Sequence, residues 1–474
     1  MDLDAAFREG EKLTGAGDHE GAAKAYEAVL AASPNEPECL WRYAECCLNR
    51  RQFERGAGVA RRAIAYRPNY AVAWGCLGSA LGFLGEHAAA GEALEEALRL
   101  APDMPAARWN YALWLLADGR WREGWQQYRW GVVSRARRMR TLAPPWDGRP
   151  LDGTLFVWAE QGQGDAINFS RFLPAARARC GRLVFEVQEP LVGLLADHPG
   201  ADLVVTQQLD GSIPCRWEAH VPLMDLPGVL GVDTPEQLEQ YPPCLPEPPA
   251  VTVASGDGLK VGVCRRGSPD HPHDFARSLP AEALAPLLAV PGCTFISLVP
   301  GEAPPAGMAA MPPVTSWEGT QALLAGLDLI VSVDTAVAHL AASMPKPTWL
   351  LLAKPTDFRW LIGRTDTPWY PNARLFRQQV CGEWGPVVEQ VTDRLKRWNE
   401  MWGPEGSACT RARDDEGYYA MGTDPELDRV LLAERNGHRG KCDYCGKESE
   451  RRGFAGPRGW LCPRCLPARE PATC

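Results

Sequence analysis

Pro34, Pro68 and Pro102 fall at intervals of 34 residues. A fixed period of that length belongs to stacked supersecondary units rather than to one continuous core. Aligning the chain on these prolines puts Gly10, Ala44, Gly78 and Ala112 in one column of small residues. Leu13, Cys47, Leu81 and Leu115 form an apolar column, and Leu30, Ile64 and Leu98 form another just ahead of each proline. Small side chains let two helices approach closely, and proline turns the preceding residue away from helical backbone. Each unit therefore reads as a helix, a turn and a second helix closed by proline. Four units, from about residue 2 to residue 136, exceed the roughly three needed to bury a stacked core.

This spacing resembles the tetratricopeptide repeat (TPR). The resemblance implies either a concave groove that grips a peptide or an acceptor, or a stacked spacer that shields the next domain. The stretch from Arg129 to Arg140 that follows is rich in arginine and has no acidic residue. It reads either as a phosphate or lipid contact or as the solvated face of a linker.

At 474 residues the chain is too long for one core, which rarely grows past roughly 250–300 residues. From Thr154 the period changes. Short apolar runs (Leu155 to Ala159, Leu183 to Val187, Leu203 to Thr206) alternate with helix-length segments, the pattern of strand-helix-strand units on a parallel sheet. Pro242, Pro243, Pro246, Pro248 and Pro249 then mark a linker that can continue neither helix nor strand. A second alternating half has runs at Lys260 to Cys264, Thr294 to Val299, Leu329 to Val333 and Thr348 to Leu352. Its helical connections are Gln321 to Gly326 and Thr335 to Ser343, and Gly385 to Trp398 closes it. The expected organisation is multidomain: an all-α repeat solenoid over 1–140, two α/β Rossmann-like domains over 151–245 and 258–398, and a small tail over 440–467. Two such sheets joined by a hinge place a ligand cleft between the carboxyl ends of their strands.

A net charge of -9 with 23% charged residues is ordinary balance for a folded chain and argues against a nucleic-acid coat. The N-terminal MDLDAAFREGEK is acidic where a secretory signal would be basic and then apolar. The stretch Leu327 to Ala342 is interrupted by Asp328, Asp334 and His339. No run approaches the ~20 apolar residues of a spanning helix. A cytoplasmic location without a transmembrane segment is expected. Most of the sixteen cysteines are scattered singly and are expected to be reduced.

Two segments carry candidate chemistry. Trp158-Ala-Glu-Gln-Gly-Gln-Gly-Asp165 runs from a strand into a helix, with Gly162 and Gly164 permitting a tight turn and Asp165 in the first helical turn. Asp165 is either a carboxylate held at the mouth of the cleft or a plain helix-starting residue. Ser332-Val-Asp-Thr-Ala-Val-Ala-His339 joins a buried strand to a helix whose free amides and positive dipole end suit an anion. There Thr335 and His339 could add donors to a diphosphate, or Asp334 or Thr335 could simply cap the helix while His339 packs.

With Pro145-Trp-Asp-Gly148, Phe169-Ser-Arg-Phe-Leu-Pro174, Asp366-Thr-Pro-Trp-Tyr-Pro371 and Leu375-Phe-Arg-Gln378, these segments form an ordered series. The series resembles bacterial repeat-containing glycosyltransferases related to the heptosyltransferase family, over roughly residues 1 to 398. The resemblance implies a GT-B fold and inverting transfer of a hexosyl or heptosyl unit from a nucleotide-sugar donor to a glycan, lipid-linked or protein acceptor. It places the general base on Asp165 and the donor diphosphate among Gly162, Gly164, Arg277, Ser278, Ser332, Asp334, Thr335, Ala336 and His339. Charge on the leaving diphosphate would be spread over Arg277, His339 and helix amides, so catalysis would need no metal. No Asp-x-Asp lies in either α/β half. The chain departs from the pattern where relatives read Trp-Ala-Gly-Asn-Pro and it has Cys264-Arg-Arg-Gly-Ser-Pro269. Arg265 and Arg266 could replace the lost phosphate contacts or be plain surface arginines. The alternative reading is a non-catalytic TPR scaffold with a degenerate GT-B domain.

Cys442-Asp-Tyr-Cys445 and Cys462-Pro-Arg-Cys465 present four thiolates at the spacing of a structural zinc ribbon, in a segment with few apolar residues. With all four positions taken by cysteine, the ion would be structural. Nearby arginines suit nucleic acid, but the overall acidity counts against that partner.

Overall fold

A computed structural model describes residues 2–134, 136–137, 140–141, 143–208, 210–213, 215–246, 248, 258–269, 274–344 and 346–402, together with short strands at 440–441, 448–449, 454–456 and 459–461. The N-terminal part is a stack of antiparallel helix pairs: α1 (Leu3–Gly15) and α2 (His19–Ala32), α3 (Pro37–Asn49) and α4 (Phe53–Tyr66), α5 (Ala71–Phe83) and α6 (His87–Leu100), α7 (Pro105–Ala117) and α8 (Trp121–Tyr128). Asp2 and Asp18 cap the first two helices, accepting from the amides of Ala5 at 3.0 Å and Gly21 at 2.9 Å. Pro37 and Pro105 open α3 and α7, where no amide is needed. The column of small residues does the expected work. A Cβ on Gly10 would stand 2.6 Å from the Tyr26 ring, and one on Gly78 would stand 2.6 Å from Leu94 Cγ.

The first α/β half is a parallel sheet of β1 (Leu151–Trp158), β2 (Cys180–Val187), β3 (Leu203–Thr206) and β4 (Ala219–Pro222), in the order β3-β2-β1-β4. The second is a parallel sheet of β5 (Leu259–Cys264), β6 (Cys293–Ser297), β7 (Met308–Ala309), β8 (Leu329–Val333), β9 (Thr348–Leu352) and β10 (Ala373–Arg377), in the order β10-β9-β8-β5-β6-β7. The predicted runs all become strands. β4, β7 and β10 were not among them. All three are edge strands: β7 is only two residues long, and His220 and Pro222 in β4, Arg374 and Arg377 in β10, break the apolar signature.

Alternate residues of the inner strands serve opposite faces. Leu329, Val331, Trp349 and Leu351 pack towards the long Gly385–Trp402 helix. Ile330, Leu350 and Leu352 join a cluster that runs through the first half and into the last repeat. That cluster includes Trp121, Trp125, Tyr128, Phe169, Phe358 and Trp369.

Within the Arg129–Arg140 stretch, Arg129 is exposed, as a solvated face would have it, but Arg137 and Arg140 turn inward. The Arg137 side chain is 1% exposed and pairs with Glu160 at 2.6 Å and Asp225 at 2.8 Å. Arg140 reaches the buried Glu186 at 2.7 Å. The pairing carboxylates lie downstream in the first sheet's loops and strands, where no local pattern in the arginine stretch reveals them. In the tail, Gly440–Lys441 pairs with Glu448–Ser449 and Phe454–Gly456 pairs with Gly459–Leu461, both antiparallel. Cys442, Cys445, Cys462 and Cys465 lie outside the described residues.

Candidate functional site

In each sheet the strand order reverses beside the first strand of its half, next to β1 in one and β5 in the other. The loops leaving β1, β5 and β8 therefore open at the places where doubly wound sheets bind ligands. The loop after β1 enters a helix, Gln163–Phe169, and β8 leads into the helix Ala336–Ser343. These two helix starts meet across the halves. A Cβ on Gly164 would stand 2.9 Å from His339 Cδ2 and 3.1 Å from the Ala336 backbone, so only glycine allows this approach.

Asp165 does cap its own helix: the Gly162 amide donates to its Oδ2 at 2.8 Å. Its Oδ1 accepts from Arg359 Nη2 in a short ion pair from the second half, so Asp165 also faces the crevice. Burial raises the Asp165 pKa, and the Arg359 charge opposes that rise. Arg359 follows β9 in a short turn, Phe358–Trp360, and pairs with Asp357 Oδ1 at 2.6 Å. Burial disfavours its charge, but the Asp165 and Asp357 carboxylates overcome this and raise its pKa.

On the facing side, Thr335 caps its helix through an Ala338 amide at 3.3 Å and lies 3.1 Å from the Ser332 hydroxyl. Ser332 is buried and donates to the Val333 carbonyl at 2.6 Å. Arg277 Nη1 donates to the Asp334 carbonyl at 3.1 Å, and Asp274 accepts from both Arg277 (3.1 Å) and Ser278 (2.9 Å). The Asp334 pKa is raised by burial and by the like charge of Asp357, against the Trp360 hydrogen bond and the charges of Arg359 and Arg277.

His339 stacks on Trp360 with ring centroids 5.2 Å apart, places Nδ1 2.9 Å from the Tyr370 hydroxyl, and holds Nε2 3.8 Å from Asp334. Burial, with Arg359, Arg171 and Arg277 nearby, drops its pKa well below the ordinary histidine value. The ring therefore favours its neutral form, which still carries one N–H donor. Arg265 and Arg266 are not plain surface arginines either. Both pair with Glu302, Arg266 at 3.3 Å, and Arg265 also donates to the Leu279 carbonyl at 3.0 Å.

The structure thus gathers Gly162, Gly164, Asp165, Arg277, Ser278, Ser332, Asp334, Thr335, Ala336 and His339 around one crevice. The sequence reading missed Asp357, Arg359 and the partner role of Tyr370. Tyr370 lies inside the Asp366-to-Pro371 motif, a signal that could have pointed to it. Arg359 had none, standing 194 positions from Asp165.

Residues 13–78 and 77–128 match tetratricopeptide-repeat families, and residues 303–380 match glycosyltransferase family 9 (heptosyltransferase). The chain carries tetratricopeptide repeats ahead of a region that matches glycosyltransferase family 9. That region holds the second-half face of the crevice, from Asp334 through Arg359 to Tyr370. Protein FlbA of Caulobacter vibrioides is 25% identical over 451 residues, covering 79% of this chain and 75% of its own length. A mutant O-GlcNAc transferase of Thermobaculum terrenum is 14% identical with a TM-score of 0.32, covering 75% of this chain and 83% of its own. MamA of Desulfovibrio magneticus is 20% identical with a TM-score of 0.26, covering 28% of this chain and 77% of its own. At such scores neither structure bears on the chemistry. Among the described residues no helix is long and apolar enough to cross a membrane.

Proposed function

We propose that this chain is an inverting glycosyltransferase that moves a sugar from a nucleotide diphosphate sugar to an acceptor hydroxyl. The observation that carries the reading is the contact of two helix starts across the halves, one bearing Asp165 and the other Asp334 and Thr335. The acceptor oxygen attacks the anomeric carbon while Asp165 takes its proton, a task worth about 10²–10⁴-fold in rate. The bond from that carbon to the diphosphate oxygen breaks, its electron pair leaves with the diphosphate, and the configuration inverts. Helix amides and Arg277 meet the charge of the leaving group, so the reading calls for no divalent ion at this site. With the Tyr370 hydroxyl donating to Nδ1, neutral His339 offers its Nε2–H to the same oxygens.

A non-catalytic scaffold is the second reading. It is favoured by the engagement of both Asp165 oxygens within the protein. Thermal shift and donor turnover with a panel of nucleotide sugars separate the two. Asp165→Asn is expected to keep donor binding and lose turnover by about 10²–10⁴-fold. Unchanged turnover in that variant would remove the mechanism, and the lack of any stabilising nucleotide would favour the scaffold.

In the tail, the spacing of Cys442 with Cys445 and of Cys462 with Cys465 along the sequence supports one structural zinc on four thiolates. The cytoplasmic location, the acceptor class and a peptide partner at the repeats stay part of the same proposal.

A further inference from the structure

Arg359 is the most constrained charged group in the crevice, and nothing in the transferase mechanism above uses it. Its guanidinium lies between two carboxylates, Asp165 and Asp357, and over the rings of Phe358 (4.5 Å) and Phe169 (5.3 Å). Its Nε–H is buried and has no hydrogen-bond partner among the described residues. The next residue, Trp360, stacks on His339 in the first turn of the Ala336–Ser343 helix, so the guanidinium sits beside the proposed diphosphate seat.

The charges around that seat are unbalanced. Asp165, Asp274, Asp334 and Asp357 supply four carboxylates against the guanidinium groups of Arg171, Arg277 and Arg359. An incoming diphosphate would meet net negative charge unless a cation turned towards it. Arginine presents five N–H donors in a planar fork that suits phosphate oxygens, and one of those donors is already free here. Asp165, for its part, cannot act well as a base while one oxygen is held by a guanidinium and the other by an amide.

We propose that Arg359 is a diphosphate-binding residue held in reserve: it pairs with Asp165 and Asp357, and the donor diphosphate draws it away. The exchange meets the charge of the diphosphate and frees Asp165 in the same movement, so the base becomes available only after the donor has bound. This deepens the transferase reading and rests on it.

Isothermal titration of the full-length chain with UDP, GDP, ADP, dTDP and inorganic pyrophosphate tests the exchange. At least one diphosphate is expected to bind the wild-type chain. Arg359→Lys, which keeps the charge but loses the fork, should weaken that binding by about tenfold or more, and Arg359→Met by at least as much. Asp357→Asn, which removes one of the two competing carboxylates, should tighten it several-fold in the wild-type background but not when combined with Arg359→Met, whereas the mere loss of a negative charge would tighten both alike. If Arg359→Met fails to fold by circular dichroism, Arg359→Lys and Asp357→Asn decide. Binding to the wild type that all the variants leave unchanged overturns the exchange alone. Weaker binding by Asp357→Asn also overturns it, because Asp357 would then be presetting the fork rather than competing for it. If none of the five probes binds the wild-type chain, the transferase reading falls and takes the exchange with it.

Discussion

Arg137→Met should unfold the junction between the repeats and the first sheet, and do so in a pH-dependent way. Arg137 stacks over Tyr128 at 4.5 Å and stands between Glu160 at 2.6 Å and Asp225 at 2.8 Å. One cation between two carboxylates leaves one excess negative charge away from water. Burial therefore pushes Glu160, the deeper carboxylate, up to about 7 from its ordinary 4.5, against the pull of Arg137. The folded chain thus keeps a proton that the unfolded chain has lost. Glu160 contributes its full stability below pH 4.5, and the contribution fades as pH rises through 7. At ~1.36 kcal/mol per unit of pKa, the gap is on the order of 3 kcal/mol.

Removing Arg137 leaves the buried Glu160 and the part-buried Asp225 without the cation that pairs them. Breaking such a pair from one side costs roughly 3–5 kcal/mol. For an α/β part of this size, that lowers the melting temperature by roughly 6–20 °C. The full deficit is expected at pH 8, where Glu160 must either ionise unpaired or hold a proton against the solution. At pH 5.5 the carboxyl is already protonated, and the deficit should fall to less than half. Adding Glu160→Gln to Arg137→Met should recover most of the loss at pH 8, because a neutral amide has no charge to strand. Scanning calorimetry at both pH values checks this. Equal deficits at pH 5.5 and pH 8, or no recovery in the double variant, would refute the charge argument and leave Arg137 as a packing residue.

Trp121 is fully buried, 5.4 Å from the Trp369 ring, and its Nε1 donates to the Leu116 carbonyl at 3.0 Å. Trp121→Ala should cost about 3–5 kcal/mol, seen as a lower urea midpoint, and should loosen the last repeat and the α/β halves together. Gly164→Ala would push a methyl against His339 and the Ala336 backbone and wedge the two helix starts apart. The expected result is a several-fold rise in KM for the donor with the melting temperature within a few degrees of wild type. An unchanged KM would show that the crevice tolerates the separation. Metal analysis should find one zinc per chain, and chelation should release the tail to proteolysis while leaving donor turnover unchanged. A loss of turnover with the zinc would tie the tail to the crevice.

What could be read along the chain was whatever repeats or continues locally. The 34-residue columns are visible because each small residue faces the same partner in every unit, as Gly10 faces Tyr26 and Gly78 faces Leu94. The inner strands are visible because both of their faces are buried, which gives unbroken apolar runs such as Leu329–Val333 and Thr348–Leu352. Edge strands carrying His220 or Arg374 lose that signature. The helix starts at Asp165 and Thr335 could be read because caps and glycines act within a few positions. Pairing across the chain could not. Arg359 with Asp165, Arg137 with Glu160 and Arg171 with the Trp369 carbonyl are each set by how distant loops meet. The lowered His339 pKa likewise follows from its burial and from the arginines that the fold brings around it, and the eight-residue motif that contains it holds none of them.

The same cross-chain packing seats the last repeat against both α/β halves. Trp125 of α8 meets Phe169 edge-on at 6.4 Å and Phe358 at 6.1 Å, one residue from each half of the crevice. The Ile362 amide donates to the Ala117 carbonyl at 3.1 Å, and the Arg122 amide donates to the Asp233 carbonyl at 3.1 Å, so each half is also tied to that repeat through its backbone. Phe169 ends the helix that Asp165 begins, and Phe358 precedes Arg359. The spacing of the ion pair across the crevice is therefore set partly by one tryptophan of the repeat domain. The first three repeats bury a core that also draws in Trp114 of the fourth, and they meet the second half directly: Arg51 lies 4.1 Å over the Phe275 ring, and a Cβ on Gly85 would stand 2.5 Å from the Lys354 side chain. A partner gripped by the arm would therefore reach the crevice by two routes, through Trp125 to Phe358 beside Arg359 and through Arg51 to the short helix that carries Arg277.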